Sequence, residues 1–304
     1  MPNFDVNKSS LLTSQKVLSR TMVKQSKRFG SEHIVTDQAE YFLKRALRPQ
    51  LAEKIKQQVQ GTKNLQLVLD KANVSWLKTE KILETGEGWL VSEWLGEGPL
   101  ATPEEYATAK NLRTLGDFTK IAAQIDKLAT DNLPATKNLP IKFGKRTQAQ
   151  FRVRTLEKFE PLIEKYQWDR QTIEASLDYV DRHAGLLKAG WQHGDLTPWH
   201  IYKENRTFVL VDCEHVHNQW PRLYDIANFY SKLVIRFELP NAANQMLVDF
   251  QSSRQLNAAE LKAFWVLVGL RSTVRLIEHQ DQPAIVERAF DLIDSIVNDK
   301  PNEY

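Results

Sequence analysis

The cluster Gly96-Glu97-Gly98-Pro99 divides the chain into two stretches whose apolar residues follow different periods. Glycine and proline so close together interrupt helix and strand alike, so a boundary between two structural parts is expected near Leu95. Before it, β-branched and aromatic runs alternate with turn residues: Thr21 to Gln25, His33 to Thr36 and Tyr41 to Ala46, separated by Lys27-Arg28-Phe29-Gly30-Ser31 and Thr36-Asp37-Gln38. These read as three strands of a small antiparallel sheet. Pro49 to Val59 follows, with Leu51, Ile55 and Val59 at every fourth position, and predicts an amphipathic helix that Gly61 ends. Val74 to Leu83 and Gly88 to Trp94 are expected as two further strands.

From Thr102 onward the period becomes helical. Thr102 to Ala129, Gln148 to Lys165 and Arg170 to Lys188 carry apolar residues three or four apart, and Ala258 to Asn298 reads as two helices. Asn132 to Phe143, with two prolines, is expected as a loop, and His200 to Glu204 with Thr207 to Val211 as a hairpin turning at Asn205-Arg206. The expected class is therefore α+β, with a strand-rich part at 1–95 and a larger, mainly helical part at 96–304.

The chain has 304 residues, enough for two modest domains, and is 42% apolar and 26% charged, an ordinary globular composition. Its 41 Lys and Arg nearly balance 38 Asp and Glu, so net charge +3 predicts neither nucleic-acid nor membrane attraction, while a small anionic ligand remains compatible. Cys213 is the lone cysteine, which excludes an internal disulfide and fits a reducing compartment; the cytoplasm is the expected location. Met1-Pro2-Asn3-Phe4-Asp5-Val6 has no basic segment followed by an apolar one, and the longest apolar run, near Phe264 to Val268, is far below the roughly 20 residues of a membrane span, so neither export signal nor span is expected.

The chemistry concentrates in His193-Gly194-Asp195-Leu196-Thr197-Pro198-Trp199-His200 and, after the hairpin, Val211-Asp212-Cys213-Glu214. Asp195 is a candidate to accept the proton of an attacking hydroxyl. Asp212 ends the apolar run Phe208-Val209-Leu210-Val211, where a carboxylate can project from a buried strand and offer Mg²⁺ a hard oxygen. Such a pair is what phosphoryl transfer from ATP requires. Glu214, two residues on, falls on the same face if the strand persists and could assist the metal. An isolated Asp at either place would otherwise be a turn residue.

These segments resemble the catalytic region of the aminoglycoside phosphotransferase and choline kinase group, whose pattern runs HGDxxxxN, then strand residues, then an Asp after an apolar run. His193-Gly194-Asp195 and Asp212 match, as does Arg222-Leu223-Tyr224-Asp225-Ile226-Ala227, in which the resemblance makes Asp225 an anchor of the catalytic loop. Where the family has a metal-binding Asn, this chain has His200, whose imidazole nitrogen Mg²⁺ takes reluctantly and Mn²⁺ more readily. The resemblance implies a bilobal protein-kinase-like fold: a small antiparallel sheet with one helix, then a mainly helical lobe carrying the catalytic hairpin. It further implies Lys44 as the ligand of the α- and β-phosphates, Glu53 as its partner, and the backbone of Glu93 and Leu95 as the adenine-binding hinge. Ser26 to Ser31 would be the phosphate-covering loop, with one glycine where three are usual.

The expected activity is an ATP- or GTP-dependent phosphotransferase acting on a hydroxyl of a small molecule, with Asp195 as base and Asp212, His200 and Glu214 around Mg²⁺ or Mn²⁺. Two other classes fit parts of the pattern. A catalytically silent kinase-like module that binds a nucleotide or partner would explain His200, and a metallohydrolase would use the acidic and histidine residues between 193 and 217, although no HExxH spacing is present. Neither the acceptor nor the oligomeric state is legible in the sequence.

Overall fold

The computed structural model describes residues 9–96, 98–128 and 145–298, with backbone only over 145–155. By contact they separate into two compact units, Met1–Leu100 with Trp199–Val216, and Ala101–Pro198 with His217–Tyr304.

The first unit opens with a single helical turn, α1 (Ser10–Thr13), and continues through β1 (Val17–Gln25), β2 (Phe29–Thr36) and β3 (Glu40–Ala46). Next come α2 (Ala52–Lys71), entered through a short 3-10 turn at Pro49–Leu51, and β4 (Leu77–Thr79), β5 (Ile82–Gly86) and β6 (Trp89–Glu93). Five of these strands pair antiparallel in the order β1-β2-β3-β6-β5. The period of two sorts their side chains: Ile34, Tyr41, Leu43, Trp89 and Val91 pack with Leu12 on one face, and Phe29, Ala46 and Leu90 pack with Ile55 of α2 on the other. Burial of this kind contributes about 1.5–3 kcal/mol per large side chain and fixes the strand register.

Three sequence expectations for this unit need correction. Phe29-Gly30-Ser31, expected between two strands and within the phosphate-covering loop, belong to β2 and pair with Ala46, Arg45 and Lys44 of β3, which leaves only Ser26 to Arg28 as the turn. Val74 to Leu83 is not one strand: the chain breaks after Thr79, β4 joins another sheet, and Glu80, at the break, is buried among polar partners. Gly61 does not end the helix either, since α2 continues to Lys71. An added Cβ at Gly61 would overlap the carbonyl oxygen of Cys213, so this glycine permits close backbone approach rather than termination.

The second unit starts with α3 (Pro103–Ala107) and α4 (Thr114–Lys127). The single helix expected from Thr102 to Ala129 is interrupted because Ala109 and Asn111 adopt left-handed conformations, and a capping box at Thr102 and Glu105 fixes the short first piece. The loop expected at Asn132 to Phe143 lies outside the described residues. α5 (Lys145–Tyr166) and α6 (Arg170–His183) follow, Asp169 capping the latter through the amides of Gln171 and Thr172, and β7 (Ala189–Gln192) leads to the His193 segment.

Residues 199–216 belong to the first unit, where β8 (Ile201–Glu204) and β9 (Thr207–Leu210) form the expected hairpin and β9 pairs parallel with β4. The second unit resumes at β10 (His217–Pro221), antiparallel to β7, and ends in α7 (Tyr224–Ser231), α8 (Pro240–Arg254), α9 (Ala258–Glu278) and α10 (Pro283–Val297). The last two are the helices expected over Ala258 to Asn298. No helix among the described residues is long and apolar enough to cross a membrane.

Candidate active site

Alternation along β3 directs Lys44 to the face that α2 covers, where the residue is only 8% exposed. A buried ammonium needs partners, and Lys44 Nζ donates to Gln58 Oε1 at 2.7 Å and to Asp212 Oδ1 at 2.6 Å. Gln58 Nε2 in turn donates to Glu80 Oε1 at 2.7 Å, and the amide of Asp212 approaches the same oxygen at 3.4 Å. Lys44, Gln58, Glu80 and Asp212 thus close a ring of polar contacts inside the first unit. Burial raises the pKa of Glu80, against the opposing effects of Gln58 and Lys44.

Asp212 sits at φ 59°, in the left-handed region, immediately before the 3-10 turn Cys213–His215. Aspartate tolerates that conformation better than bulkier residues, and a rare backbone state at the end of a strand aims its carboxylate out of the ladder. The turn is held from behind by α2 at Gly61. His200 Nε2 lies 3.8 Å from Asp212 Oδ2, and the His200 carbonyl accepts the amide of Val211 at 3.0 Å, which ties the two ends of the hairpin together. Glu214 is buried with Oε1 3.1 Å from His215 Nε2. Burial works to raise its pKa, but His215, together with the charge of Lys44, holds the carboxyl below its ordinary value.

Glu53 is not the partner of Lys44. It faces solvent and approaches Lys56 at 3.9 Å, because at 100° per residue it lies about 200° around α2 from the buried Ile55, whereas Gln58 shares that buried face. Glu93 closes β6; its amide donates to the Lys81 carbonyl at 3.2 Å and its carboxylate pairs with Lys81 at 2.6 Å. Trp94 stacks on His33 with ring centroids 3.9 Å apart, and Leu95 follows, half-buried, in irregular chain.

In the second unit Gly194 turns the chain at φ 84°, which a side chain would strain. Asp225 accepts the amides of His193 at 2.6 Å and Gly194 at 2.8 Å, so it anchors the loop and is more than a helix cap. Its own amide donates to Gln192 Oε1 at 2.9 Å. Gln192 and the amide of Leu223 then reach Asp126 Oδ1 at 3.1 and 2.8 Å, and Arg254 Nε reaches Asp126 Oδ2 at 2.7 Å. This network fixes the backbone on which Asp195 stands. The Asp195 side chain is 41% exposed, and its Oδ1 accepts from Lys232 Nζ at 2.8 Å. Burial pulls the Lys232 ammonium down to about 8 although Asp195 acts to raise it.

The donor set bears on a metal. Asp212 and His200 bring one carboxylate oxygen and one imidazole nitrogen near each other, but no group of three His, Cys, Asp or Glu that could hold an ion occurs among the described residues. A zinc hydrolase needs such a group. A hard ion carried largely by phosphates and water does not, so the pair fits a nucleotide-borne Mg²⁺ or, given the imidazole, Mn²⁺.

Gln58, Glu80 and Lys232 were missed at the level of sequence. Two had a signal: Gln58 interrupts the apolar face of α2, and Lys232 is a single cation inside Phe229-Tyr230-Ser231-Lys232-Leu233-Val234-Ile235. Nothing local marks Glu80.

Comparison with known proteins gives the family and the fold. A model described as the phosphotransferase enzyme family matches residues 32–262. No curated protein matches the chain. Among solved structures, the ADP-bound aminoglycoside phosphotransferase APH(2'')-Ib superposes with TM-score 0.63 at 13% identity, over 95% of this chain and 97% of that one. The streptomycin-ATP-APH(2")-IIa ternary complex gives 0.62 at 14% identity over 98% and 99%. Plasmodium vivax ethanolamine kinase gives 0.58 at 13% identity over 98% and 86%.

Proposed function

Because the chain belongs to the phosphotransferase enzyme family, we propose that it transfers the γ-phosphoryl group of ATP or GTP to a hydroxyl of a small molecule. The observation that carries this reading is the 2.6 Å pair of Lys44 and Asp212 within the buried ring that includes Gln58 and Glu80. Lys44 binds the α- and β-phosphates as a point charge, and Gln58 keeps its ammonium oriented while Glu80 supplies the buried counter-charge. Asp212 and His200 would hold the metal, which when bound neutralises charge on the phosphates.

Asp195 orients the acceptor hydroxyl. The hydroxyl oxygen bonds to the γ-phosphorus, the bond from that phosphorus to the bridging oxygen of the diphosphate breaks, and the hydroxyl proton passes to the Asp195 carboxylate. The anchoring of its loop by Asp225 supports this role, since positioning supplies most of the catalysis in phosphoryl transfer. The structures similar to this chain include an aminoglycoside phosphotransferase and an ethanolamine kinase, which supports a small hydroxyl compound as acceptor. The backbone of Glu93 and Leu95 is assigned to the adenine edge.

His200 beside Asp212 supports a second reading, a module that binds nucleotide without turning it over. One experiment separates the two. Melting temperature is measured with ATP and GTP, each with Mg²⁺, Mn²⁺ or no metal, and ADP or GDP release is then followed across a panel of hydroxyl compounds. A metal-dependent rise with acceptor-dependent release supports the transferase, a rise without release supports the silent module, and no rise defeats both.

A further inference from the structure

Lys232 is the single charge in Phe229-Tyr230-Ser231-Lys232-Leu233-Val234-Ile235, a run in which every residue is buried. Taking an ammonium out of water is costly, and an apolar side chain of the same size would fill the space without that cost. Its place on the helix suggests what the charge is for. Lys232 keeps helical geometry at the end of α7, and its amide donates to the Asn228 carbonyl. At 100° per residue it falls about 20° from Asp225 around the same helix, two turns further on. One face of α7 therefore grips the His193–Asp195 segment twice. Asp225 takes the backbone, through the amides of His193 at 2.6 Å and Gly194 at 2.8 Å, and Lys232 Nζ takes the side chain, donating to Asp195 Oδ1 at 2.8 Å. Directly after this contact the helix widens into a π-turn, Lys232–Arg236, with the Phe237 amide on the Lys232 carbonyl at 3.1 Å. Such turns are rare and recur at functional sites.

The pair is asymmetric. The Lys232 side chain is 10% exposed and that of Asp195 41%, so the cation stands behind the carboxylate on its buried side. The helix that carries Lys232 is itself braced from α9, where Arg271 Nε and the Arg275 guanidinium reach Asn228 Oδ1 at 2.9 and 3.1 Å. Burial brings the Lys232 ammonium down to about 8; Arg275 and Arg271 work in the same direction, and Asp195 opposes them. On α7 itself the titratable neighbours are Tyr224 and Asp225. From α10, Arg288 turns to the Ile235 carbonyl and to Glu238, both at 2.8 Å. A lysine below that value has only protons to donate, which suits it to hold an oxygen in place rather than to receive a proton.

We propose that Lys232 is a positioning residue for the transfer: its ammonium holds Asp195 Oδ1 from the buried side and fixes the rotamer in which the carboxylate meets the acceptor hydroxyl. This rests on the reading of Asp195 as the residue that receives that hydroxyl. A carboxylate whose backbone alone is anchored still turns about its side-chain bonds, and a charged hydrogen bond from a rigid helix removes that freedom. Lys232 keeps its own proton throughout, and the hydroxyl proton goes to Asp195.

The test follows ADP release from ATP by the full chain, with water and then glycerol as the hydroxyl compound, in the parent, Lys232→Met and Asp195→Asn. Lys232→Met should lower kcat about 100-fold, the scale of a misplaced reacting group. KM for ATP should stay within about twofold, because the lost contact is to Asp195 and not to the nucleotide. In the parent, kcat should fall as pH rises through about 8, where Lys232 gives up its proton, and this limb should be absent from Lys232→Met. A merely structural lysine would move neither the limb nor kcat separately from KM. The Cε chemical shift of Lys232, followed by NMR, supplies a second measurement: its titration should coincide with the limb of kcat and move to lower pH in Asp195→Asn, where the carboxylate that favours the charged form is gone. If Lys232→Met fails to fold, that coincidence in the parent decides. An alkaline limb retained in Lys232→Met, a raised KM with kcat intact, or a Lys232 titration apart from the limb overturns the proposal. ADP release that Asp195→Asn does not lower counts instead against Asp195 as the base, and takes the role of Lys232 with it.

Discussion

Lys44 Nζ stands 2.6 Å from Asp212 Oδ1, although 168 residues separate them in the chain. Two elements create that contact: β3, which turns Lys44 toward α2, and the left-handed residue after β9, which turns the Asp212 carboxylate out of its strand. The pair links the proposed phosphate ligand to the proposed metal ligand within one unit.

Lys44→Met should lower kcat/KM for nucleotide about 100-fold or more, the scale seen when one donor to a developing charge is removed. Its effect on stability should be smaller, because Asp212 is 36% exposed and water can replace the lost ammonium. Glu53→Ala, at the position that sequence alone would pair with Lys44, should change neither rate nor melting temperature by more than about 0.5 kcal/mol equivalent. Steady-state kinetics and urea unfolding of both variants check this, and a Glu53→Ala defect as large as that of Lys44→Met would defeat the assignment.

Gly61→Ala should destabilise although alanine favours helix. The new methyl would overlap the Cys213 carbonyl oxygen and press on Val216 at 3.3 Å, forcing either α2 or the Asp212 turn to move, at a cost of about 1–3 kcal/mol. Nucleotide KM should rise in parallel. Gly116→Ala, where an added Cβ meets nothing within 4 Å, is the control and should be neutral or stabilising.

Stability should rise with pH at the alkaline end, and Lys232 should be the cause. Burial lowers its pKa from 10.5 to about 8 in the folded chain. Below about 8 both states hold the proton and its contribution is flat. Between about 8 and 10.5 the unfolded chain binds the proton that the folded chain has released, so folding becomes more favourable as pH increases. The difference in unfolding free energy between the parent and Lys232→Met, measured across this interval, should follow that slope. A difference independent of pH would show that Lys232 titrates normally.

His200→Asn should raise Mg²⁺-supported turnover or shift metal preference away from Mn²⁺, since an amide oxygen replaces an imidazole nitrogen 3.8 Å from Asp212. Activity titrated with each metal provides the measurement. If neither quantity moves, His200 does not ligate the metal.

Sequence periodicity was sufficient for β3, the hairpin of β8 and β9, and the last two helices, because in each a buried face repeats at a fixed interval, and it found only the second half of β2, since Gly30 and Ser31 read as turn residues. It failed where a contact far away in sequence overrode the local pattern. Gly61 has the local meaning of a helix stop, yet the Cys213 carbonyl gives it a different one. Val74 to Leu83 reads as one strand, and the partners that divide it, Leu210 for one piece and Ser92 for the other, lie in separate sheets.

The strand-rich first part, the helical second part and the candidacies of Asp195 and Asp212 were legible in the sequence alone, through apolar period and a motif contained within 22 residues, and that of Lys44 through the resemblance of its strand. Which groups surround those three was decided only by tertiary structure. Gln58 replaced Glu53 beside Lys44, and the buried Glu80 joined them, because the turn of a helix and the break between two sheets determine which polar side chains can leave water together. Lys232 became a partner of Asp195 in the same way, brought to it by the end of α7 across 37 residues of chain. Charges buried together must find partners in three dimensions, and the linear spacing of residues does not encode that pairing.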